Sequence, residues 1–576
     1  MVTLTIDNKT VTAPEGTTIL DAAKLLHIRI PTLCYLPKVN EIGACRVCAV
    51  EVEGARQLAT ACNTKIEEGM VIHTNTERVR AARKTNVELI LSQHEDHCVA
   101  CVRSGNCSLQ DLARTMNILS VPFPQSIKKQ PWDPTLPIIK DSTKCIQCLR
   151  CVSVCDKIQS LGAWEVSGTG SHTTVRIRDG LRMDAAACAL CGQCVTNCPV
   201  GALRERDDTE RVFAAMQDPT KEVVFQVAPA VRTAWGEALG LPPELATERR
   251  LAAAIRAMGV PHVFDTTFSA DLTIMEEGSE FIQRLTHPED SLLPQFTSCC
   301  PGWVRFIKSE YPSMVPHLSS AKSPQQMFGA VVKSYYAELL DKDPDDIFCV
   351  SVMPCTAKKY ECDVPEVNDA ASRDVDVVLT SREIDRMLQA MQINVAELPE
   401  EDFDSPLGRG SGAGVIFGVT GGVMEAALRT AYWKITGSNP PPDAFKEVRG
   451  PKPWREATFT IQDIPVRLAV VSGLRNAREL MEDLIAGRVE YDFIEVMACP
   501  GGCAGGGGQP IHDGIDLSQV RGNRLYDLDV QSTIRFSHEN PSVQALYEDY
   551  LTAPLSERAH HLLHTDQSQW QMAKKS

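Results

Sequence analysis

The 576-residue sequence predicts an α/β fold, in which a large domain of parallel sheets flanked by helices follows smaller α+β modules rich in cysteine. Three observations lead there. Fifteen of the 22 cysteines lie between Cys34 and Cys198, and none lies from Pro199 to Ser298. Beyond residue 209, helical stretches separate apolar runs at Val223–Val227, Ile347–Met353, Val375–Leu379, Leu468–Val471 and Phe493–Met497, with a weaker one at Val263-Phe264. That alternation marks parallel strands covered by helices. Ala228-Pro229-Ala230, Pro354-Cys355 and Ala498-Cys499 follow directly on three of these runs. Ligands in such sheets sit beyond the C-terminal strand ends.

At roughly 150 residues per domain the chain holds about four. Apolar residues make up 43% and charged residues 23%, a globular balance able to bury sizeable cores. The formal net charge of −16, from 58 basic and 74 acidic residues, repels phosphates and excludes nucleic acid as a partner class. No apolar run is long enough to span a bilayer, so no membrane association is expected. Met1 to Asp7 alternates like a strand, with neither the blocks of a signal peptide nor a twin arginine. The expected location is cytoplasmic. There thiols stay reduced, and cysteines read as metal ligands before disulfides.

The first module, 1–78, opens on two alternating runs flanking Asp7-Asn8-Lys9, a hairpin signal. A helical stretch from Thr17 to Leu26 follows. Then come Cys34, Cys45, Cys48 and Cys62, spaced C-x10-C-x2-C-x13-C. A loop of thiolates plus one distant cysteine suits a [2Fe–2S] cluster, although the first gap exceeds the plant-type C-x4-C-x2-C. A four-thiolate zinc site is the alternative. The β-grasp-like pattern before the cysteines favours the cluster. The second module, 79–120, carries His94, Cys98, Cys101 and Cys107, with His97 competing as the imidazole. One imidazole and three thiolates suit zinc or a cubane. Pro122, Pro124, Pro131, Pro134 and Pro137 mark 121–138 as an extended linker. The third module, 139–209, has Cys145-x2-Cys148-x2-Cys151-x3-Cys155, repeated as Cys188-x2-Cys191-x2-Cys194-x3-Cys198-Pro199. This is the bacterial two-cluster ferredoxin pattern, whose fourth cysteine ligates the other cluster. The expected ligand sets are Cys145, Cys148, Cys151 and Cys198 for one cubane, and Cys188, Cys191, Cys194 and Cys155 for the other. Asp156 stands where proline would follow the first run.

In the last domain, 210–576, three segments stand out: Thr297-Ser298-Cys299-Cys300-Pro301-Gly302-Trp303, Met353-Pro354-Cys355-Thr356-Ala357-Lys358-Lys359, and Met497-Ala498-Cys499-Pro500-Gly501-Gly502-Cys503-Ala504-Gly505. They resemble the three signature segments of [FeFe] hydrogenases. The N-terminal cysteine pattern resembles the accessory clusters of the large clostridial-type monomeric members, so the resemblance spans essentially the whole chain. It implies an H-cluster catalytic domain. The H-cluster is a [4Fe–4S] cubane joined through one thiolate to a diiron unit carrying CO, cyanide and azadithiolate. By motif position Cys300, Cys355, Cys499 and Cys503 hold that cubane, with Cys503 bridging. The resemblance also makes His94 the fourth ligand of an accessory cubane. One [2Fe–2S] and three accessory [4Fe–4S] clusters then precede the H-cluster. Nineteen cysteines are thereby assigned, leaving Cys299, Cys349 and Cys362.

The implied reaction is 2H⁺ + 2e⁻ ⇌ H2. Cys299, beside a ligand, matches the family thiol that passes protons to the bridgehead amine; its bland reading is a buried spare thiol. Glu277, Glu280 and Arg284 fall at i, i+3 and i+7 on one helix face. With Ser319 they resemble the family's proton route; without the resemblance they read as a solvated acidic face. Lys358 resembles the residue that hydrogen-bonds a cyanide. Pro324 and Gln325 lie where the family contacts the CO-bearing side. Ala228, Pro229, Met353, Met497 and Phe417 match positions around the diiron unit. Ala230 stands where some members have serine, so one hydrogen bond to a cyanide is absent. Cys349 reads as core and Cys362 as a free thiol. Gly408 to Ala413 has no strand before it and suggests close packing beside Phe417 rather than a nicotinamide site. His560, His561 and His564 read as structural. The expected partners are a ferredoxin or similar redox protein and diiron maturation proteins. The alternative function is the hydrogen-activating subunit of an NAD(P)-linked complex, with flavin- and NAD(P)-binding subunits. A third reading is a non-catalytic iron–sulfur carrier or hydrogen sensor.

Overall fold

The structure, a computed structural model, describes residues 1–287, 292–462, 464–570 and 572. Strands β1 (Val2–Ile6) and β2 (Lys9–Ala13) form the expected hairpin. Asp7 and Asn8 both take positive φ, 46° and 65°, which matches the twist of a two-residue hairpin turn. β3 (Ala49–Val52), β4 (Ala59–Thr60) and β5 (Val71–His73) complete a five-stranded sheet of order β2-β1-β5-β3-β4. The helix Ile19–Leu25 is capped by the Thr18 hydroxyl, which accepts from Asp21 N. Sheet and helix give the β-grasp arrangement.

Residues 121–137 carry no helix or strand. This linker is nevertheless docked, because Trp132 stacks on Trp164 at 5.9 Å. The next module pairs β6 (Ile138–Lys140) with β9 (Leu203–Glu205), and β7 (Trp164–Ser167) with β8 (Thr174–Ile177). Its two cysteine runs trace the same backbone. Gln147 and Leu149 have φ of 55° and 63°, and the equivalent Leu190 and Gly192 have 53° and 73°. Left-handed residues at matching positions curl each run around a centre before its helix, Arg150–Lys157 or Gln193–Thr196, begins.

The large domain contains two four-stranded sheets. In the first, β10 (Glu222–Val227), β11 (His262–Asp265), β13 (Ile347–Met353) and β14 (Val377–Thr380) run parallel in the order β11-β10-β13-β14. The second has the order β12-β17-β16-β15. There β12 (Gln295–Phe296), β16 (Ile464–Ser472) and β17 (Phe493–Met497) are parallel, while β15 (Trp454–Ile461) is antiparallel to β16. The parallel sheets expected are present, and the second carries one antiparallel edge strand that the sequence did not announce. β15 is an edge strand whose side chains alternate between exposed and half-buried, so it lacks the continuous apolar run of a buried strand. The run expected at Leu468–Val471 begins four residues earlier for the same reason, and that at Val375–Leu379 becomes a strand only from Val377.

The modules share one core. Trp164, Met183 and Leu190 lie in the same apolar cluster as Trp303, Phe306, Val471 and Ile494. A buried cation reinforces the joint: Lys359 Nζ donates to Asp208 (2.7 Å) and Glu383 (2.9 Å). Among the described residues, no helix is long and apolar enough to cross a membrane.

Candidate active site

All 22 cysteines are free thiols. Cys34, Cys45, Cys48 and Cys62 gather in one loop region. Cys34 N donates to Cys45 Sγ at 3.5 Å, and the Cys34 thiol beside Cys45 pushes the latter's pKa down to about 6. In the second module His94 is buried and its Nδ1 lies 3.0 Å from the Lys144 carbonyl. That carbonyl can only accept, which leaves Nε2 free for a metal. Burial pushes the imidazole pKa down, favouring the neutral, ligating form. His97, by contrast, is 77% exposed and pairs with Glu95 at 3.1 Å. The geometry separates the two histidines where spacing could not. Cys145, Cys148, Cys151 and Cys198 line one small cavity with Leu149, Val200 and Leu203, a donor set and an apolar wall that fit a cubane. Burial first, and then Cys194, Cys188 and Cys155 crowding it, push the Cys191 thiol well up.

These sites adjoin one another. Asn40 Nδ2 donates to Cys34 O at 2.7 Å and to Cys148 O at 2.9 Å, tying the first module to the Cys145 set. His94 meets the residue before Cys145, and Arg103 donates to Cys198 O at 2.8 Å. Both N-terminal sites therefore abut the same cubane site. The Cys191 set abuts the large domain, with Cys499 Sγ 3.7 Å from Cys191 O.

In the large domain, β12 leads to Cys300, β13 to Cys355, and β17 to Cys499 and Cys503. Cys300 and Cys355 lie near enough to perturb both Cys499 and Cys503. Ala498 N donates to Cys300 Sγ at 3.4 Å. Burial pushes all four thiols up, Cys355 to about 11. Such a buried thiol set suits a metal that holds it ionised. The glycine-rich segment closes around it by backbone contact. A Cβ on Gly502, at φ 75°, would lie 2.7 Å from Thr420 N, and one on Gly507 would lie 2.2 Å from Cys191 O.

Cys299 is partly buried. Burial first and Glu277 second push its thiol pKa well up, so it stays protonated. Glu277 and Glu280 are buried on the helix Thr267–Thr286, where the Glu277 carboxyl faces the Ser298 backbone and the Ser319 hydroxyl. Burial, then Glu280, pushes Glu277 up to about 8. Glu280 accepts from Ser319 Oγ at 2.6 Å and from Arg284 at 2.7 Å. Ser319 is placed by its backbone, which donates to Phe296 O at 2.8 Å beside β12. The expected route thus lies together, buried rather than forming a solvated face.

Lys358 is buried and donates to Cys299 O (3.2 Å) and Glu361 (2.7 Å). Burial pulls its pKa down, yet Glu361 overrides this and leaves it raised. Pro324 starts the helix Pro324–Val331, and Gln325 there donates to Glu361 at 3.2 Å and accepts from Ser351 at 3.0 Å. Met497 and Phe417 share an apolar cluster against Cys299 and Cys300. Met353 and Ala228 belong to the cluster of the first sheet, and Ala230 packs near Cys503. Pro229 is buried beside them. The Ala230 carbonyl accepts from Gln509 at 2.9 Å.

Sequence reasoning missed Glu361, three residues beyond Lys358 and so on the same turn of helix. It also missed Glu495, hidden in the apolar run of β17. Glu495 is fully buried, caps the helix Gly422–Thr436 through Gly421 N (2.6 Å) and Met424 N (2.8 Å), and is pushed by burial up to about 7. Of the remaining residues, Cys349 packs inside β13 and Cys362 donates to Lys359 O. His564 lies between Ser320 (2.8 Å) and Glu276 (3.1 Å).

The family model described as iron only hydrogenase large subunit, C-terminal domain, matches residues 221–507, and iron hydrogenase small subunit matches 516–568. A 2Fe-2S iron-sulfur cluster binding domain matches 1–77, the NADH-ubiquinone oxidoreductase-G iron-sulfur binding region 83–122, and a 4Fe-4S dicluster domain 144–202. The chain is 48% identical to NADP-reducing hydrogenase subunit HndD of Solidesulfovibrio fructosivorans over 98% of both chains. It is 39% identical to Iron hydrogenase 1 of Clostridium pasteurianum over 98% of this chain and 99% of that one. A solved variant of [FeFe]-hydrogenase HydA1 from Chlamydomonas reinhardtii is 45% identical with a TM-score of 0.57, covering 64% of this chain and 100% of that one.

Proposed function

The chain belongs to the [FeFe] hydrogenases, and from that premise we propose which of its residues hold the clusters and move the protons, and what kind of redox partner it serves. It is an oxidoreductase acting on H2, 2H⁺ + 2e⁻ ⇌ H2, with accessory iron–sulfur domains relaying electrons. Cys300, Cys355, Cys499 and Cys503 hold the H-cluster. The [2Fe–2S] cluster sits on Cys34, Cys45, Cys48 and Cys62. Accessory cubanes sit on His94 with Cys98, Cys101 and Cys107, on the Cys145 set and on the Cys191 set. When bound, the H-cluster supplies the redox-active iron and basic amine at which H2 is formed or split.

The chain's own residues do the rest. The Cys299 thiol holds a proton beside the site. Glu277, protonated up to about pH 8, exchanges it onward. Ser319 Oγ carries it to Glu280, and Arg284 holds Glu280 at the outer end. Lys358, oriented by Glu361, presents a fixed positive charge where cyanide ligands are expected. Met353, Met497, Phe417 and the Ala228-Pro229-Ala230 turn exclude water. Pro324 orients Gln325 at the start of its helix.

The observation that carries this allotment is the placement of buried Glu277 between Cys299 and Glu280, next to four converging thiols. Its test is H2 evolution by anaerobic, fully matured protein with reduced viologen as donor. No evolution, with diiron incorporation confirmed, would sink it and favour a carrier or sensor. We further assign the chain to an NAD(P)-linked complex with flavin- and NAD(P)-binding subunits, supported by its end-to-end match to a subunit of an NADP-reducing hydrogenase. A stoichiometric flavoprotein on purification supports this. Isolation as a single chain reduced by ferredoxin overturns it.

A further inference from the structure

Gln159 lies two residues beyond the helix Arg150–Lys157 and is 1% exposed. Its side-chain amide has three partners from three parts of the chain. Oε1 accepts from Leu474 N at 2.9 Å. Nε2 donates to Ala498 O at 3.0 Å and to Cys191 Sγ at 3.4 Å. The partners assign the amide's orientation, since a backbone N–H only donates and a carbonyl only accepts. Leu474 opens the helix Leu474–Ile485, and the first N–H groups of a helix lack an internal acceptor. Gln159 therefore caps that helix from another module. Arg475 N donates to Ile158 O at 3.3 Å, and Arg478 donates to Ser160 O at 3.0 Å, so the capping loop is pinned on both sides.

The two remaining contacts span the junction between two cluster sites. Cys191 belongs to the accessory set nearest the large domain. Ala498 immediately precedes Cys499, whose Sγ is 3.7 Å from Cys191 O. One neutral amide thus touches a ligand sulfur of one cubane and the ligand loop of the next.

We propose that Gln159 is a positioning residue for electron transfer: its N–H···S hydrogen bond raises the potential of the Cys191 cubane, and its second N–H holds that cubane against the H-cluster loop. The proposal rests on the ligand assignments given above. Reduction adds negative charge to a cluster, part of which resides on its thiolate sulfurs. A donor on such a sulfur stabilises the reduced form more than the oxidised one. Burial strengthens the effect. The step concerned is transfer of one electron between the two cubanes, with no bond or proton changing hands at Gln159.

The test is an EPR-monitored redox titration of full-length, anaerobically loaded protein. Gln159→Leu removes the donor. Gln159→Met also removes it while keeping the length of the side chain and its lack of charge. Each is expected to lower the reduced-to-oxidised ratio of the Cys191 cubane about tenfold at fixed potential, about 59 mV for one electron, leaving the other accessory clusters unshifted. Protein carrying glutamine labelled with ¹⁵N in the side chain is expected to show a ¹⁵N coupling to that reduced cubane, lost in Gln159→Met. This reading needs no destabilising substitution. An unchanged midpoint in the variants, or no coupling in the parent protein, overturns the proposal. Cys191→Ala separates the two levels: if every cubane signal survives it, the ligand assignment fails and this inference with it. If one signal is lost there and Gln159 variants still leave the midpoint unmoved, this inference alone fails.

Discussion

Glu277 is a carboxylic acid placed where its ionised form is disfavoured. Burial, then the neighbouring Glu280, outweighs what the Ser298 backbone and Ser319 hydroxyl offer it, and its pKa is pushed from 4.5 up to about 8. At neutral pH it holds a proton, as a relay beside a thiol requires. Glu277→Gln keeps the shape and removes the titration. H2 evolution with reduced viologen is expected to fall about 10²–10⁴-fold, with the infrared bands of the diiron unit unchanged; a shifted spectrum would point to a damaged site instead. The same group makes stability depend on pH. Between 4.5 and about 8 the folded chain binds this proton and the unfolded chain does not. Stability from this group is thus fully present below pH 4.5 and lost as pH rises through about 8. In calorimetry, the Tm of Glu277→Gln relative to the parent should climb across this window; a constant difference counts against the assignment. His94 offers a further single-residue test. Replacing its neutral imidazole by thiolate in His94→Cys adds negative charge, so the cubane it serves should titrate at a lower potential.

At the scale of elements, strand ends and one glycine-rich segment build the site. β12, β13 and β17 end where the thiols begin, because parallel sheets leave the next residues free beyond their C-terminal edges. The segment after Cys503 must then press backbone on backbone. Gly507→Ala would place a Cβ 2.2 Å from Cys191 O, and overpacking of this kind costs about 1–3 kcal/mol. A lower Tm is expected, with slower reduction of the accessory clusters by H2 in stopped-flow. Unchanged values would mean that the two modules are free to part at this seam. The longer buried strands β10, β13, β14, β16 and β17 were legible as apolar runs, whereas β12, buried but only two residues long, was not. Nor was β15, since a half-exposed edge strand has no continuous apolar run.

At the scale of the whole molecule, the accessory modules are welded to the catalytic domain through a shared core and through Lys359. That lysine is fully buried between Asp208 and Glu383. Lys359→Met would leave Glu383 without its cation in the interior, while Asp208 keeps Arg206 and Arg211, and breaking a buried pair in this way costs about 3–5 kcal/mol. Denaturation midpoints should fall accordingly; a neutral outcome would mean that water reaches the pair. Rigid attachment matters because electrons must cross between clusters at fixed separation.

Family, fold class and the grouping of cysteines were determined by the sequence alone, because ligand spacing in loops is local and metal chemistry tolerates few patterns. His94 was preferred to His97 by resemblance, but the physical reason is tertiary: burial and the Lys144 carbonyl come from a segment fifty residues away. So is the character of Glu277 and Glu280, whose i, i+3 spacing suits a wet surface as well as a buried relay. The partners of Lys358 and Gln159, and the carboxylate Glu495 inside an apolar strand, depend on which distant chains close over them. Burial and long-range pairing set their pKa values and hydrogen bonds, and neither quantity is carried by sequence spacing.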